Sequence, residues 1–215
     1  MAEITICYAR IGTDSNRISA VSLRGYIGYL FTNDPEFHHH SEKSHHYPKI
    51  QYKKIGEQLL VIGILEYANI LMQRLAQVDQ IVTVDKKIPI QNIQIETITF
   101  QIAPTEKKYR FVTPWIGLNE KNYKTYTHLD SKERTIFLER ILIGNILSML
   151  KWLGIRVDFK INVKITKTRT KMVTVHGNNF TGILCDFDSN ISLPDFCGLG
   201  KSVSKGFGAI KSVDS

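Results

Sequence analysis

The sequence predicts an α+β fold built from two tandem units. Three observations carry this: apolar–polar alternation at both ends of the first half, amphipathic helical segments between them, and one long capped helix that opens further alternation in the second half. Glu3 to Ala9 alternates Ile4 and Ile6 with polar neighbours and predicts a first strand. Thr13, Asp14 and Ser15 offer N-caps for a helix to about Phe31, with Val21, Ile27, Leu30 and Phe31 on its apolar side. Lys49 to Lys53 alternates again, Gly56 and Glu57 mark a turn, and Leu59 to Ile64 reads as the hairpin partner. Leu65 to Val78 has a helical period through Ile70, Leu71 and Leu75, and Glu96 to Ala103 is a further strand. The order β-α-β-β-α-β is the ferredoxin-like unit.

The second half begins with a strand at Tyr109 to Val112 and a helix over Asp130 to Leu153. Asp130 with Glu133 forms a capping-box pattern, and Gly154 suits the stop. Ile155 to Thr168 reads as one strand, and Lys171 to Asp188 as another with a turn or bulge near Gly177. Phe207 to Val213 reads as a last strand. A second helix is not evident, unless a short one lies between Asp188 and Phe196. The expected organisation is therefore a ferredoxin-like domain over 1–104 and an incomplete one over 105–215, meeting near Pro104 to Lys107.

At 215 residues the chain can bury a real core, and its net charge of +8 with a pI near 9.3 suits a polyanionic partner. No run of 18 apolar residues exists to enter a membrane, so nucleic acid is the expected polyanion. The N-terminus reads as a strand rather than a signal peptide. Cys7, Cys185 and Cys197 have no metal spacing, and a reducing cytoplasm is the expected setting.

Gly198 to Gly208 gathers four glycines, two lysines and two serines. Glycine reaches φ > 0 and lets backbone N–H groups converge on an anion, while lysine adds positive field. Gly198, Gly200, Lys201, Ser202, Ser204, Lys205 and Gly206 are thus candidate phosphate contacts. A nucleotide P-loop is excluded, because its first glycine would fall on Asp195, and a dinucleotide fingerprint fails at Val203. A glycine-rich turn before a terminal strand is the plain alternative.

Five of the seven histidines lie between Phe37 and His46. Imidazoles titrate near neutrality, so a pair can supply a base and an acid together. In an extended segment His38 and His40 would point to one side, roughly 6–7 Å apart, a gap that suits two rings flanking a phosphate. Such a pair can drive RNA cleavage by its own 2′-hydroxyl. A solvated loop is one alternative. A zinc site using His38, His40 and His45 or His46 is another, although the spacing matches no common zinc motif. After the histidines, Pro48, Ile50 and Tyr52 share one parity, opposite Lys49, Gln51 and Lys53. Lys53 or Lys49 could neutralise charge on a reacting phosphate, and Tyr47 or Tyr52 could stack a base or donate to phosphate. Arg156, Lys160 and Lys164 share a parity opposite Val157, Phe159, Ile161, Val163 and Ile165, and Lys167, Arg169 and Lys171 continue in the expected connection. This basic ridge suits RNA phosphates, with a solubilising surface as the alternative.

Leu23-Arg24-Gly25, Phe37-His38-x-His40, Tyr47-Pro48-x-Ile50-Gln51-Tyr52-Lys53 and Gly198-Leu199-Gly200 with Lys205-Gly206-Phe207-Gly208 together resemble the CRISPR-associated repeat-RNA endoribonucleases of the RAMP superfamily, with the type I-B subgroup most similar. The resemblance implies two ferredoxin-like (RRM-like) folds and binding of a CRISPR repeat transcript, hairpin or single-stranded. It implies one cut per repeat at the 3′ base of the stem, without metal or cofactor. Products would carry a 5′-hydroxyl on one side and a 2′,3′-cyclic or related phosphate on the other. The subgroup's paired histidines correspond to His38 and His40, with His40 assigned as base and His38 as acid. Effector-complex proteins and a homodimer are the further implied partners. The glycine loop is shared with non-cleaving relatives, so a guide-RNA-binding subunit is the contrasting reading. His39, His45 and His46 widen the histidine run beyond the pattern. Glu66-Tyr67-Ala68 stands where Glu-Gly is usual, a change expected to affect helix packing.

Overall fold

The computed structural model describes residues 1–15, 17–34, 37, 46–83, 86–175 and 177–213. By contacts the chain divides into two compact units: Glu3–Phe100 with Ser204–Gly206, and Met1–Ala2 with Gln101–Val203 and Phe207–Ser215.

The N-terminal unit contains β1 (Ala2–Thr13), α1 (Ala20–Leu30), β2 (Ile50–Ile55), β3 (Gln58–Ile64), α2 (Glu66–Leu75), β4 (Gln80–Val82) and most of β5 (Lys87–Ile102). The sheet order is β2-β3-β1-β5-β4. Without the short edge strand β4, this is the ferredoxin-like arrangement expected from the sequence. Gly56, at φ +59°, turns the β2–β3 hairpin, whose register pairs Tyr52 with Val61 and Lys53 with Leu60. Leu23, Ile27, Ile50, Tyr52, Val61, Ala68 and Leu71 form one buried cluster between helices and sheet. Each large apolar side chain buried this way contributes about 1.5–3 kcal/mol. A Cβ on Gly63 would come within 2.5 Å of the Tyr67 carbonyl oxygen, so close β3–α2 packing accounts for the glycine there.

Two boundaries differ from expectation. β1 extends through Thr13, so the cap of α1 is Ser19 rather than Thr13, Asp14 or Ser15; its hydroxyl accepts from the Ser22 N–H at 3.0 Å. β5 begins at Lys87, well before Glu96, because it pairs with β4, and the Thr83 N–H donates to the Lys86 carbonyl beside that pairing.

The C-terminal unit contains β6 (Pro104–Phe111), α3 (Glu120–His128), α4 (Ser131–Trp152), β7 (Val163–Val175), β8 (Asn178–Ile191) and β9 (Ile210–Val213), with sheet order β7-β8-β6-β9. This is again the ferredoxin order, with α4 as the first crossover helix. The second crossover helix is absent among the described residues, and the segment from Ser192 to Ala209 takes its place. Asp130 and Glu133 form the full capping box of α4, and Gly154 follows at φ +74°. α4 buries Leu138, Leu142, Ile146, Met149 and Leu150 and packs against β7. Beneath it Tyr109, Phe111, Phe187 and Trp115 stack with ring centroids 5.3–5.6 Å apart.

Here the sequence reading needs three corrections. α3 was not expected; it buries no residue, so no apolar period marks it. The predicted strand from Ile155 starts only at Val163, because side-chain bonds replace the ladder before it: Asn190 Oδ1 accepts from the Asn162 N–H, and Asn190 Nδ2 donates to the Lys160 carbonyl. Lys167, Arg169 and Lys171 are therefore mid-strand residues of β7 rather than a connection, and the hairpin turns at Gly177, φ +76°. No helix of the described residues is long and apolar enough to cross a membrane.

Candidate nucleic-acid interface

In the N-terminal unit, β2 is an edge strand, and such an edge leaves backbone groups open for pairing. Lys205 covers it at one point by a parallel backbone bridge to Tyr52. The next residue, Gly206, has φ +102°. A Cβ there would lie 2.8 Å from the Cβ of Ala20, the first residue of α1, and 3.7 Å from the Tyr52 carbonyl oxygen. Glycine is required both for the left-handed backbone and for this approach. The loop thus reaches a helix N-terminus whose first turn holds no acidic residue, so its partial positive charge is uncompensated.

Arg24 stands one helical turn beyond Ala20. Its Nε and the Tyr52 hydroxyl are both buried without a hydrogen-bond partner among the described residues. Burial pushes the Tyr52 hydroxyl pKa up, and the nearby Arg24 charge partly opposes that shift. Desolvation holds the Lys205 ammonium below the usual lysine range, and the Arg24 charge lowers it further. Two cations and a buried phenol are thus gathered at the start of a helix. An anion placed among them relieves the repulsion and gives the donors an acceptor.

The other face of β2 carries Gln51 and Lys53, both with no exposed surface. Lys53 and Tyr52 are consecutive and so face opposite sides of the sheet, which keeps the buried Lys53 side chain away from the Arg24 cluster. Lys49 is held in an ion pair with Glu66 at 2.6 Å, and its Nζ lies 5.2 Å from the centre of the Tyr67 ring. Tyr47 is half-buried. His38 and His40 lie outside the described residues, as do His39 and residues 41–45. On one side of that stretch Phe37 is described, buried with its ring 5.1 Å from that of Phe31; on the other the described chain resumes at exposed His46, and Ile50 on β2 is the first buried residue.

The remaining glycine-loop residues other than Ser204 belong to the C-terminal unit. Gly198 bridges Ala209, and the Leu199 N–H donates to the Gly208 carbonyl at 2.9 Å. At Gly200, φ +89°, a Cβ would lie 2.7 Å from Trp115 Nε1 and 2.8 Å from the Ile116 carbonyl oxygen. The Lys201 N–H donates to that same Ile116 oxygen at 2.9 Å, leaving its side chain exposed. Ser202 takes φ +56°, and Ser204 is half-buried in the segment that belongs to the N-terminal unit. Lys160 is exposed but lies before β7, off the sheet, whereas Lys164, Lys167 and Arg169 stand exposed on β7. Arg24 carried no role in the sequence reading. Its position four residues after Ala20, on a helix start without acids, was the available signal.

Residues 2–101 match a family model described as the Cas6b N-terminal domain, and residues 101–213 one described as the Cas6b C-terminal domain. A crystal structure of Cas6b is similar at TM-score 0.90 and 30% identity, covering 99% of this chain and 100% of that one. A second, a CRISPR RNA processing endoribonuclease Cas6b, is similar at TM-score 0.76 and 30% identity, covering 97% and 100%. A Cas6-related protein from Pyrococcus furiosus shares the fold at TM-score 0.61 and 12% identity, covering 100% of both chains. An uncharacterized protein of Methanocaldococcus jannaschii is 42% identical over 115 residues, 54% of this chain and 78% of that protein. The two family models run from residue 2 to residue 213, and the chain belongs to the Cas6b family.

Proposed function

We propose that this chain is a CRISPR repeat-RNA endoribonuclease that cuts without a metal ion, by attack of a 2′-hydroxyl on the adjacent phosphate. The observation that carries this reading is the 30% identity, over 97% of this chain and the whole of the other, to a CRISPR RNA processing endoribonuclease. The cationic site at the start of α1 supports it from the chain's own chemistry, since it offers donors and positive field to a phosphate.

In the proposed step His40 removes the 2′-hydroxyl proton, the 2′ oxygen forms a bond to phosphorus, and the bond to the 5′ oxygen breaks. His38 gives the departing oxygen its proton. The products are a 2′,3′-cyclic phosphate and a 5′-hydroxyl, and each released guide RNA keeps a 5′ repeat handle. Tyr47 lies close in sequence to the pair and donates to the phosphate. Arg24 and Lys205 neutralise a phosphodiester of the bound strand, and the Tyr52 hydroxyl donates to it. Lys53, on the opposite face of β2, is assigned to the reacting phosphate between the histidines rather than to the Arg24 cluster.

Incubation with a repeat RNA, with and without EDTA, tests the reading. It requires equal cutting in both and products bearing the two ends named above. Cutting lost in chelator would assign the chemistry to a metal. Binding without any cutting would make the chain a guide-RNA-holding subunit.

A further inference from the structure

The β6–β9 sheet presents one face to α4 and leaves the other exposed. Tyr109, Phe111, Cys185, Phe187 and Ile165 are buried on the α4 side, so strand alternation puts Lys108, Arg110, Lys164, Asp186 and Asp188 on the outer side, and the register shift between Ile165 and Lys167 brings Lys167 to the same side, opposite Asp186. The ladder register arranges these charges in rows. Arg110 and Lys167 both face Asp186, and Lys108 and Lys164 both face Asp188. Lys211 of β9 lies directly opposite Arg110 and lengthens that row by one strand, and Arg169 and Lys171 extend the β7 column.

The result is two cationic columns, one on β6–β9 and one on β7, separated by β8 with its carboxylates. At about 4.8 Å per ladder step the β6 and β7 columns lie roughly 10 Å apart. An open groove of about 400 Å³ runs between Arg110 and the Lys167–Arg169 stretch. Asp186 accepts two bonds from Arg110, at 2.7 and 2.8 Å, which fixes the guanidinium and leaves its other N–H groups to face outward. Those bonds, with the Arg110 and Lys167 charges, hold the Asp186 carboxyl below the usual range, so it stays ionised. Asp188 makes no ion pair among the described residues and keeps its oxygens available as acceptors.

A single strand laid along β8 would press its phosphates onto two carboxylates. Two phosphate rows flanking a groove would instead meet both cationic columns. A-form RNA has a wide, shallow minor groove that displays 2′-hydroxyls between such rows. We propose that this face binds the double-stranded stem of the repeat across its minor groove, the β6–β9 and β7 cations on opposite phosphate rows and Asp188 accepting from 2′-hydroxyls between them. The inference rests on the repeat-RNA reading above and adds where the stem lies and how RNA is told from DNA.

The test measures binding of a repeat hairpin, of the same-length RNA with its stem scrambled, and of the hairpin with a 2′-deoxy stem, over a range of salt. For the Arg110→Ala/Lys167→Ala double variant the expected result is at least about a 10-fold loss on the hairpin, a log–log salt slope lower by about 2, and less than 2-fold change on the scrambled RNA. Asp188→Ala is expected to shrink the preference for the ribose stem over the deoxy stem. Unchanged hairpin binding by the double variant, or equal losses on hairpin and scrambled RNA, would overturn the stem assignment while leaving the nuclease reading intact. Wild-type protein that binds no repeat RNA would overturn both.

Discussion

Lys205 and Tyr52 are joined by a parallel backbone bridge at the open edge of β2, which brings a lysine from near the end of the chain beside the buried phenol of an early strand. The bridge explains why residues 204–206 belong with the N-terminal unit, and why a glycine must follow at 206.

Tyr52→Phe should separate stability from binding. The hydroxyl is buried with no partner among the described residues, so its loss removes a desolvation cost and leaves the free protein as stable as before, or more stable by about 1 kcal/mol. RNA affinity should fall several-fold, because the donor to phosphate is gone. Thermal unfolding and an RNA titration of the same variant check both signs.

Lys205 predicts a pH dependence of binding. Its folded-state pKa is depressed by desolvation and by Arg24, so in the window below the ordinary lysine value the folded protein holds fewer protons than the unfolded chain. Stability therefore rises with pH through that window, while RNA affinity, which needs the charged ammonium, falls through it. Lys205→Arg should keep its affinity at pH values where the wild type weakens, since arginine stays protonated. Dissociation constants between about pH 7 and 10 check this.

Gly200 and Gly177 both have positive φ, yet they should respond differently to alanine. At Gly177 a Cβ meets nothing within 4 Å, so Gly177→Ala carries backbone strain alone, about 1 kcal/mol. At Gly200 the Cβ would also collide with Trp115 and the Ile116 carbonyl, and the cost should exceed the Gly177 value by about 1–3 kcal/mol. Denaturant titration gives the two costs, and tryptophan fluorescence should change only in Gly200→Ala.

Elements whose burial repeats along the sequence were legible. The β2–β3 hairpin, α4 with its Asp130–Glu133 box, and the glycine at 154 follow directly from residue pattern. α3 was not legible because it buries no residue, so no apolar face exists to read. Val157, Phe159 and Ile161 alternate as a strand would, yet Asn190 takes the backbone partners that a ladder needs there. The glycine loop was recognised as special, but its division into tight packing around Trp115 and one reach to Ala20 depends on long-range contacts. Lys53 was legible as opposite in parity to Tyr52, while its complete burial was not.

The central claim is that the RNA's own 2′-hydroxyl is the nucleophile and that His38 and His40 move the protons. The most direct measurement compares a repeat RNA with one carrying a single deoxyribose 5′ to the scissile phosphate, both in EDTA, with wild-type protein and with His40→Ala. The expected result is equal binding of both RNAs, cutting of the all-ribose RNA alone, and a rate lower by about 10²–10⁴ in the variant. Cleavage of the deoxy-substituted RNA at the same bond, or full activity in His40→Ala, would contradict it.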